Sequence, residues 1–466
     1  MKQIKLSLLI AILLLFQAPW NFSCKKDFTT EPQFPEEPGV AQDEKPLDPG
    51  FAENDMVMYW NDKVATVLSA PMNPPTRSRY FAIIEIAVHD ALNNIKPKYQ
   101  RYAFNEREQF ASPDAAVASA AYWAIKGLNR QGTFPVDSWY NESLATIPNG
   151  ESKELGKTLG RHAAEAIIAN RANDGFTQVI ISSLIPADGD DPGEYRSTLP
   201  SANPTLNLPH LKNIPNWGTV LRPFVVVSND QFRPAGPYPV NSEAYTQDYN
   251  EVKLKGAIIG HTRTAEESEI AVFWADMPSF IWNRLARNII NAKKMDAWKT
   301  ARLFALLHTA IADGINSNLE SKYHFYYWRP ETAIRLGDND GNPNTAGDAD
   351  WLPSVIEVPS VNPTMHRYSP PLPEYPSSYS MFGGVAAEVL KLFFESNELS
   401  FDLTSLALPN VTRHYTSLSQ AAGDNSLGKI YAGWYFRKAV LDGEEMGRNI
   451  GSYVFNHSFR ESGESF

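Results

Sequence analysis

Lys322-Tyr323-His324-Phe325-Tyr326-Tyr327-Trp328-Arg329-Pro330 follows a segment, Asp296 to Leu319, in which Phe304, Leu307, Ile311 and Ile315 fall on one helical face. If that helix runs on, a seven-residue spacing is two turns. Lys322 and Arg329 then share a face, and Pro330 stops or turns the chain beside Arg329. Two cations so placed can clamp an oxyanion. A second stretch, Pro373-Glu374-Tyr375-Pro376-Ser377-Ser378-Tyr379-Ser380, leads into another striped segment, where free backbone N–H groups and hydroxyls favour an anion. Neither stretch is specific alone: a Lys and an Arg on one face are usually solvated surface, and serines before a helix usually cap it.

The surrounding chain reads as helical. Stripes at three- and four-residue spacing predict helices over 79–94, 114–127, 153–170, 282–293, 296–319, 380–395 and 431–455. Between about 184 and 252, and again over 337–376, Pro, Asn and Gly predict long loops wrapped over the helical body, and such loops often carry binding residues. No second linker and no repeated period appears after about residue 55, so an all-α fold with one large helical-bundle domain over 56–458 and a short tail at 459–466 is expected.

The N-terminus reads differently. Lys2 and Lys5 precede an apolar run from Leu6 to Phe16 that is too short to span a bilayer, which takes about 20 residues, so residues 1–23 are expected to be a signal peptide. Cys24 is the single cysteine of the 466 residues, which excludes an internal disulfide. Asn21-Phe22-Ser23-Cys24 resembles a relaxed bacterial lipobox, with Asn21 in place of the usual aliphatic residue; Cys24 is therefore the expected lipidation site of an exported lipoprotein at the outer membrane or cell surface, ordinary secretion being the alternative. Residues 24–55, rich in Pro, Asp and Glu, are expected to form a flexible tether. With 43% hydrophobic and 12% aromatic residues the rest can bury a large core, and a net charge of -11 argues against broad binding to nucleic acid or anionic lipid.

In order and spacing, Lys322-x6-Arg329-Pro330, the Pro376-Ser377 loop and the helix around Gly428-Lys429 together resemble the superfamily of vanadium-dependent haloperoxidases and type 2 phosphatidic acid phosphatases, in its bacterial haloperoxidase-like branch. IAVHDALNNI, PNWGTVLRPFVV, TAEESEIAVFWAD, TARLFALLHTAIADGIN, DGNPNTAGDADWLPSV and DGEEMGRNIG extend the resemblance over most of residues 56 to 455. It implies two packed helical-bundle halves. It also implies a pocket in which a Lys, two Arg, a Ser hydroxyl and a Gly N–H hold the equatorial oxygens of phosphate or vanadate, between an axial His and an acid/base His. Fixed cations suit the charge spread over those oxygens, and in-line chemistry needs a nucleophile and a proton donor at the two apices. A homodimer is a further state the resemblance makes available.

Carried over residue by residue, Lys322, Arg329 and Ser377 keep the equatorial set, joined by Ser378 at the Gly position and Lys429 at the second Arg position, where the guanidinium fork is lost. Tyr379 stands at the acid/base position, Tyr435 at the nucleophile or vanadate-ligand position, and Ala439 where an Asp would orient it. A phenol, with a pKa of about 10 against about 6.5 for imidazole, is a poor proton shuttle near neutrality, although three nearby cations would be expected to lower both phenols. The expectation is a protein that binds a phosphate-like anion or phosphorylated small molecule with little turnover. The alternatives are a divergent phosphatase or haloperoxidase using Tyr435 and Tyr379, and a surface interaction scaffold. No metal site is expected. Glu85, His89 and Asp90 share a helix but lack a second ligand pair, His308 reads as a core histidine, and Asp338-x-Asp340-x-Asn342 has Pro343 and Ala349 where a calcium loop needs Gly and Glu. His324 and His366 flank the motifs without occupying an apical position.

Overall fold

Asn73, Ser112, Ser242, Asp296, Ser377 and Ser417 each turn a side-chain oxygen onto the backbone N–H three residues ahead, and each starts a helix. A computed structural model describes residues 55–181, 188–196, 217–354, 369–370 and 372–463, all within one compact unit. Cys24, the apolar run before it and the expected tether through Asn54 lie outside the described residues, as does His366.

The first part of the fold contains α1 (Asp55–Leu68), α2 (Pro74–Ile95), α3 (Pro113–Gly127), α4 (Val136–Ala145), α5 (Glu151–Arg171), α6 (Phe176–Ile181), α7 (Trp217–Val220), α8 (Glu243–Lys255), α9 (Ala265–Phe273) and α10 (Pro278–Lys293). The second contains α11 (Ala297–Phe325), α12 (Pro330–Arg335), α13 (Ser378–Phe394), α14 (Leu418–Tyr431) and α15 (Arg437–His457). Between α13 and α14, β1 (Phe401–Thr404) pairs antiparallel with β2 (Thr412–Tyr415).

Two helices are buried nearly all round, as the centre of a large core requires: α2 and α11. α11 packs on α2, which joins α3 and α5, and also on α13, which joins α14 and α15; it therefore belongs to both helical groups. Each central helix pins a distant loop with a buried aspartate. Asp90 on α2 accepts the N–H groups of Tyr102, Ala103 and Phe104 at 2.7–3.0 Å. Asp313 on α11 accepts those of Phe224, Val225 and Val226 at 2.6–3.0 Å. Among the described residues no helix is long and apolar enough to cross a membrane.

Three sequence expectations are corrected by the fold. The helix predicted to start at 431 starts at Arg437, because α14 ends at Tyr431 and the chain turns at Gly433, whose φ of 77° favours glycine and whose added Cβ would sit 3.0 Å from Pro353 Cα. The apolar stripe runs on through Trp434-Tyr435-Phe436 and hides that break. The loop predicted up to residue 252 gives way to α8 at Glu243, capped by Ser242. Finally, Lys322 and Arg329 do not share a helical face: α11 ends at Phe325 with Tyr326 left-handed at φ 49°, and Arg329 is the extended residue before α12, with Pro330 opening that helix rather than closing the last one.

Candidate functional site

Lys322 lies in the last turn of α11, fully buried. Its ammonium donates to three carbonyls of the loop before α13: Pro373 at 2.9 Å, Glu374 at 2.7 Å and Pro376 at 2.6 Å. Burial and the Arg329 charge press its pKa well below the ordinary lysine value, while Glu374 pulls the other way. Three acceptors demand three protons, so the amine is held as ammonium, and all its donors are spent.

Arg329 is equally buried, and three of its five N–H donors meet backbone carbonyls. Its Nε donates to the Leu372 carbonyl at 2.7 Å, Nη1 to Trp434 at 2.9 Å and Nη2 to Pro373 at 3.4 Å. The Tyr435 ring covers both cations, with its centroid 4.5 Å from the Arg329 guanidinium and 5.1 Å from Lys322 Nζ. Lys429, in the last turn of α14, donates to the Trp274 carbonyl at 2.6 Å and lies 4.1 Å from the Tyr379 ring and 5.3 Å from that of Trp434. Burial lowers it to about 7, opposed by Asp276. The Tyr379 and Trp434 rings are themselves in contact, with centroids 5.5 Å apart.

The hydroxyl groups are used locally. Ser377 caps α13, its Oγ accepting from the Ser380 N–H and, at 2.9 Å, from the Ser380 hydroxyl. Ser378 donates to Asn318 Oδ1 at 2.6 Å. Gly443 on α15 lets this loop approach closely, since a Cβ there would collide with the Ser377 carbonyl. The structure thus brings Lys322, Arg329, Ser377 and Tyr435 into one cluster, with Tyr379 and Lys429 alongside. The expected lowering of the Tyr379 phenol is not found: burial, then the neighbouring Tyr435 and Asp276, raise it, and Arg329 opposes only as a lesser influence.

Glu374, which sequence reasoning left without a role, also belongs to the cluster. It is fully buried, and its Oε1 accepts the Phe436 N–H at 2.8 Å while Oε2 has no partner among the described residues. Its burial is the deciding fact, and spacing carries no signal of it. His308 Nε2 bonds Asn283 Oδ1 at 2.9 Å with its ring stacked on Phe81, and burial lowers its pKa to about 3. His89 bonds Asp90 at 3.1 Å, Glu85 accepts from Asn61 at 2.9 Å, and His324 is exposed. The Asp338 and Asp340 carboxylates accept the Gly347 and Asn342 N–H groups, both at 2.8 Å, and no cluster suited to a metal occurs among the described residues.

A tetrahedral oxyanion such as vanadate or phosphate needs convergent donors facing an open space. The donors here do not fit one: Lys322 is saturated by carbonyls, Arg329 is bound through all three nitrogens, an aromatic ring covers both, and an unpartnered carboxylate oxygen lies in the same cluster.

The bundle architecture is that of the vanadium haloperoxidases, and part of the chain is similar to them in sequence. Residues 302–462 match the family described as the VCPO second helical-bundle domain. The chain is 22% identical to the vanadium chloroperoxidase of Curvularia inaequalis over 82% of its own length and 78% of that protein. Among solved structures it is similar to a bacterial vanadium-dependent iodoperoxidase, with a TM-score of 0.72 and 24% identity over 91% of this chain and 100% of that one. A holo-type bacterial vanadium-dependent chloroperoxidase superposes with a TM-score of 0.64 at 13% identity, over 88% of this chain and 98% of that one. At these identities the structural matches speak for the fold.

Proposed function

We propose that this chain is an exported, Cys24-anchored protein of the haloperoxidase fold that does not run halide oxidation or phosphoryl transfer, its catalytic space having been taken over by its own side chains. The observation that carries this reading is Tyr435: its ring covers Lys322, whose three donors are turned onto backbone carbonyls, and Arg329, which gives one N–H from each nitrogen to a carbonyl. Tyr379 at the acid/base position reinforces it, because a buried phenol whose pKa is raised above the ordinary value does not shuttle protons near neutrality. What such a body retains is its outer surface, so its role is that of a helical scaffold presented on a tether.

The test is thermal melting of the full chain with and without about 1 mM orthovanadate or phosphate, together with peroxide-dependent iodide and bromide oxidation and phosphomonoester hydrolysis. The expected result is no turnover above the buffer blank and no rise in Tm. Turnover abolished by Tyr435→Phe would overturn the reading in favour of an enzyme. A vanadate-dependent rise lost in Lys322→Ala and Arg329→Ala would replace it with an anion-binding protein.

A further inference from the structure

The end of α15 farthest from Tyr435 borders an open cleft of about 760 Å³, within the ~300–1,000 Å³ range of small-molecule sites. α15 has 21 residues, so about 30 Å of helix separates this cleft from the cation cluster. Among the described residues its walls are the 99–105 loop, Phe224 with Val225, and residues between His457 and Gly463. Both loops are ones that a buried aspartate fastens, Asp90 through residues 102–104 and Asp313 through residues 224–226. Tyr102 joins the two, its hydroxyl donating to the Phe224 carbonyl at 2.7 Å. A ligand therefore meets walls that are already ordered. One lining residue holds a backbone geometry that bulky side chains rarely take: Phe459, 2% exposed, has φ 52°, and Arg302 Nε fixes its carbonyl at 2.7 Å. Its ring stacks on Tyr102 with centroids 5.9 Å apart. Strain that the surrounding fold over-determines in this way collects at binding sites.

The side chains on these walls select the ligand. Tyr99, Phe104, Phe224 and Phe459 are buried rings, so the floor is aromatic. Gln100, Asn105 and His457 stand exposed around it. An amide offers a donor and an acceptor in one plane, which matches neighbouring hydroxyls on a ring. His457 is held by stacking on Tyr453, with centroids 3.9 Å apart, and its Nδ1 donates to the Tyr453 carbonyl at 2.7 Å, so in the neutral ring Nε2 is an acceptor. Arg101 also lines the cleft, its Nη1 turned to the Asn94 amide oxygen at 3.4 Å. No Asp or Glu is part of the lining, although the chain carries a net charge of -11, so a cationic ligand finds no counter-charge there. A wholly apolar ligand would strip water from the rim amides without replacing its hydrogen bonds. A sugar ring answers both halves of the cleft, with an apolar C–H face and a hydroxyl edge. From this geometry we infer that the cleft is a carbohydrate-binding site, in which the C–H face of a neutral pyranose lies on the aromatic floor and its hydroxyls bond Gln100, Asn105 and His457. This goes beyond the scaffold reading by giving the outer surface a ligand.

The experiment is saturation-transfer-difference NMR on the full chain with maltose, cellobiose, xylobiose and N,N′-diacetylchitobiose at about 5 mM each, a concentration suited to millimolar Kd values. Glycerol, which has hydroxyls without a ring face, and benzyl alcohol, which has a ring without a hydroxyl array, are the controls. At least one disaccharide is expected to receive saturation, strongest at the C–H protons of one ring face, and neither control is. Ala103→Trp places an indole in the cleft while keeping the backbone N–H that Asp90 holds, so it should abolish the signal. Asn105→Ala combined with His457→Ala removes two exposed side chains and should weaken binding at least tenfold at unchanged Tm. If Ala103→Trp does not fold, that double variant decides. Saturation of no disaccharide, equal saturation of benzyl alcohol, or undiminished binding in these variants overturns the inference. Displacement of the sugar by orthovanadate overturns it too, by moving the sugar to the cation cluster. Halide oxidation, phosphomonoester hydrolysis or a vanadate-dependent rise in Tm would instead sink the proposed loss of the family site and leave this cleft untouched.

Discussion

Asp90 and Asp313 bury negative charge under backbone N–H groups, whereas Lys322 and Arg329 bury positive charge under backbone carbonyls. The two arrangements look alike: in each, a charged side chain on or next to a long helix fastens a loop that has no regular structure of its own. They differ in balance. Each aspartate sits among three backbone donors, Asp90 beside the His89 ring as well, so its charge is shared out over dipoles aimed at it, whereas the cations are paired and covered by one aromatic ring. The aspartates fasten loops. If the cations have become architectural too, removing one should cost stability in a buffer free of anions; if they still serve a ligand, removing one should cost little there and abolish an anion effect instead.

The largest effect sets the scale for that contrast. Asp313→Ala strands the buried N–H groups of Phe224 and Val226 and the half-buried one of Val225 at once, and the expected loss is about 4–5 kcal/mol by urea denaturation, with the 224–226 loop losing amide protection first. Lys322→Met, which keeps length and loses charge, should cost about 3–4 kcal/mol in anion-free buffer, because it strands three carbonyls. A loss below about 1 kcal/mol would break the parallel and restore the ligand-site reading.

Glu85 sharpens the comparison from the other side. It is a buried carboxylate on the same helix as Asp90, 2% exposed, but it draws on the Asn61 amide and a nearby Arg287 rather than on a ring of backbone N–H groups, and burial raises it from 4.5 to about 7. Between those two values the folded state keeps a proton that the unfolded chain releases, so this group makes stability fall as pH rises through about 4.5 to 7, by up to about 3 kcal/mol. Glu85→Gln should flatten that part of the pH–stability curve. An unchanged slope would mean that Asn61 and Arg287 hold the carboxylate ionised throughout.

Much of the helical framework is legible in the amino-acid sequence. The stripes of α2, α3, α5, α10, α11 and α13 mark those helices to within a few residues at most ends, because burial on one or more faces imposes the 3.6-residue period and polar caps punctuate it. The pocket cluster is legible too, since order and spacing single out Lys322, Arg329, Ser377, Tyr379, Lys429 and Tyr435, and the fold gathers them in one region. Their geometry is not. A left-handed Tyr326 and a turn at Gly433 are single-residue events that an apolar stripe passes over, and they decide where Arg329 and Tyr435 point. Nor does any local pattern say that a ring will lie on a cation, or that Glu374 will be buried with one carboxylate oxygen on the Phe436 N–H. Those are long-range facts, fixed when α11, α13 and α15 pack.

The smallest effect isolates the ring itself. Tyr435 is 1% exposed, and its centroid lies within cation–π reach of both Lys322 and Arg329, so the face of the ring, more than its hydroxyl, is what the cations meet. Tyr435→Phe keeps that face and should change stability by less than about 0.5 kcal/mol, while Tyr435→Leu keeps apolar bulk without a quadrupole and should cost about 1–2 kcal/mol. The pair of variants subtracts burial from the comparison and leaves the cation–ring attraction. If Phe proves as costly as Leu, the hydroxyl rather than the ring face is the working group. The phenol at the apical position would then have to be treated as a chemical participant and no longer as a lid.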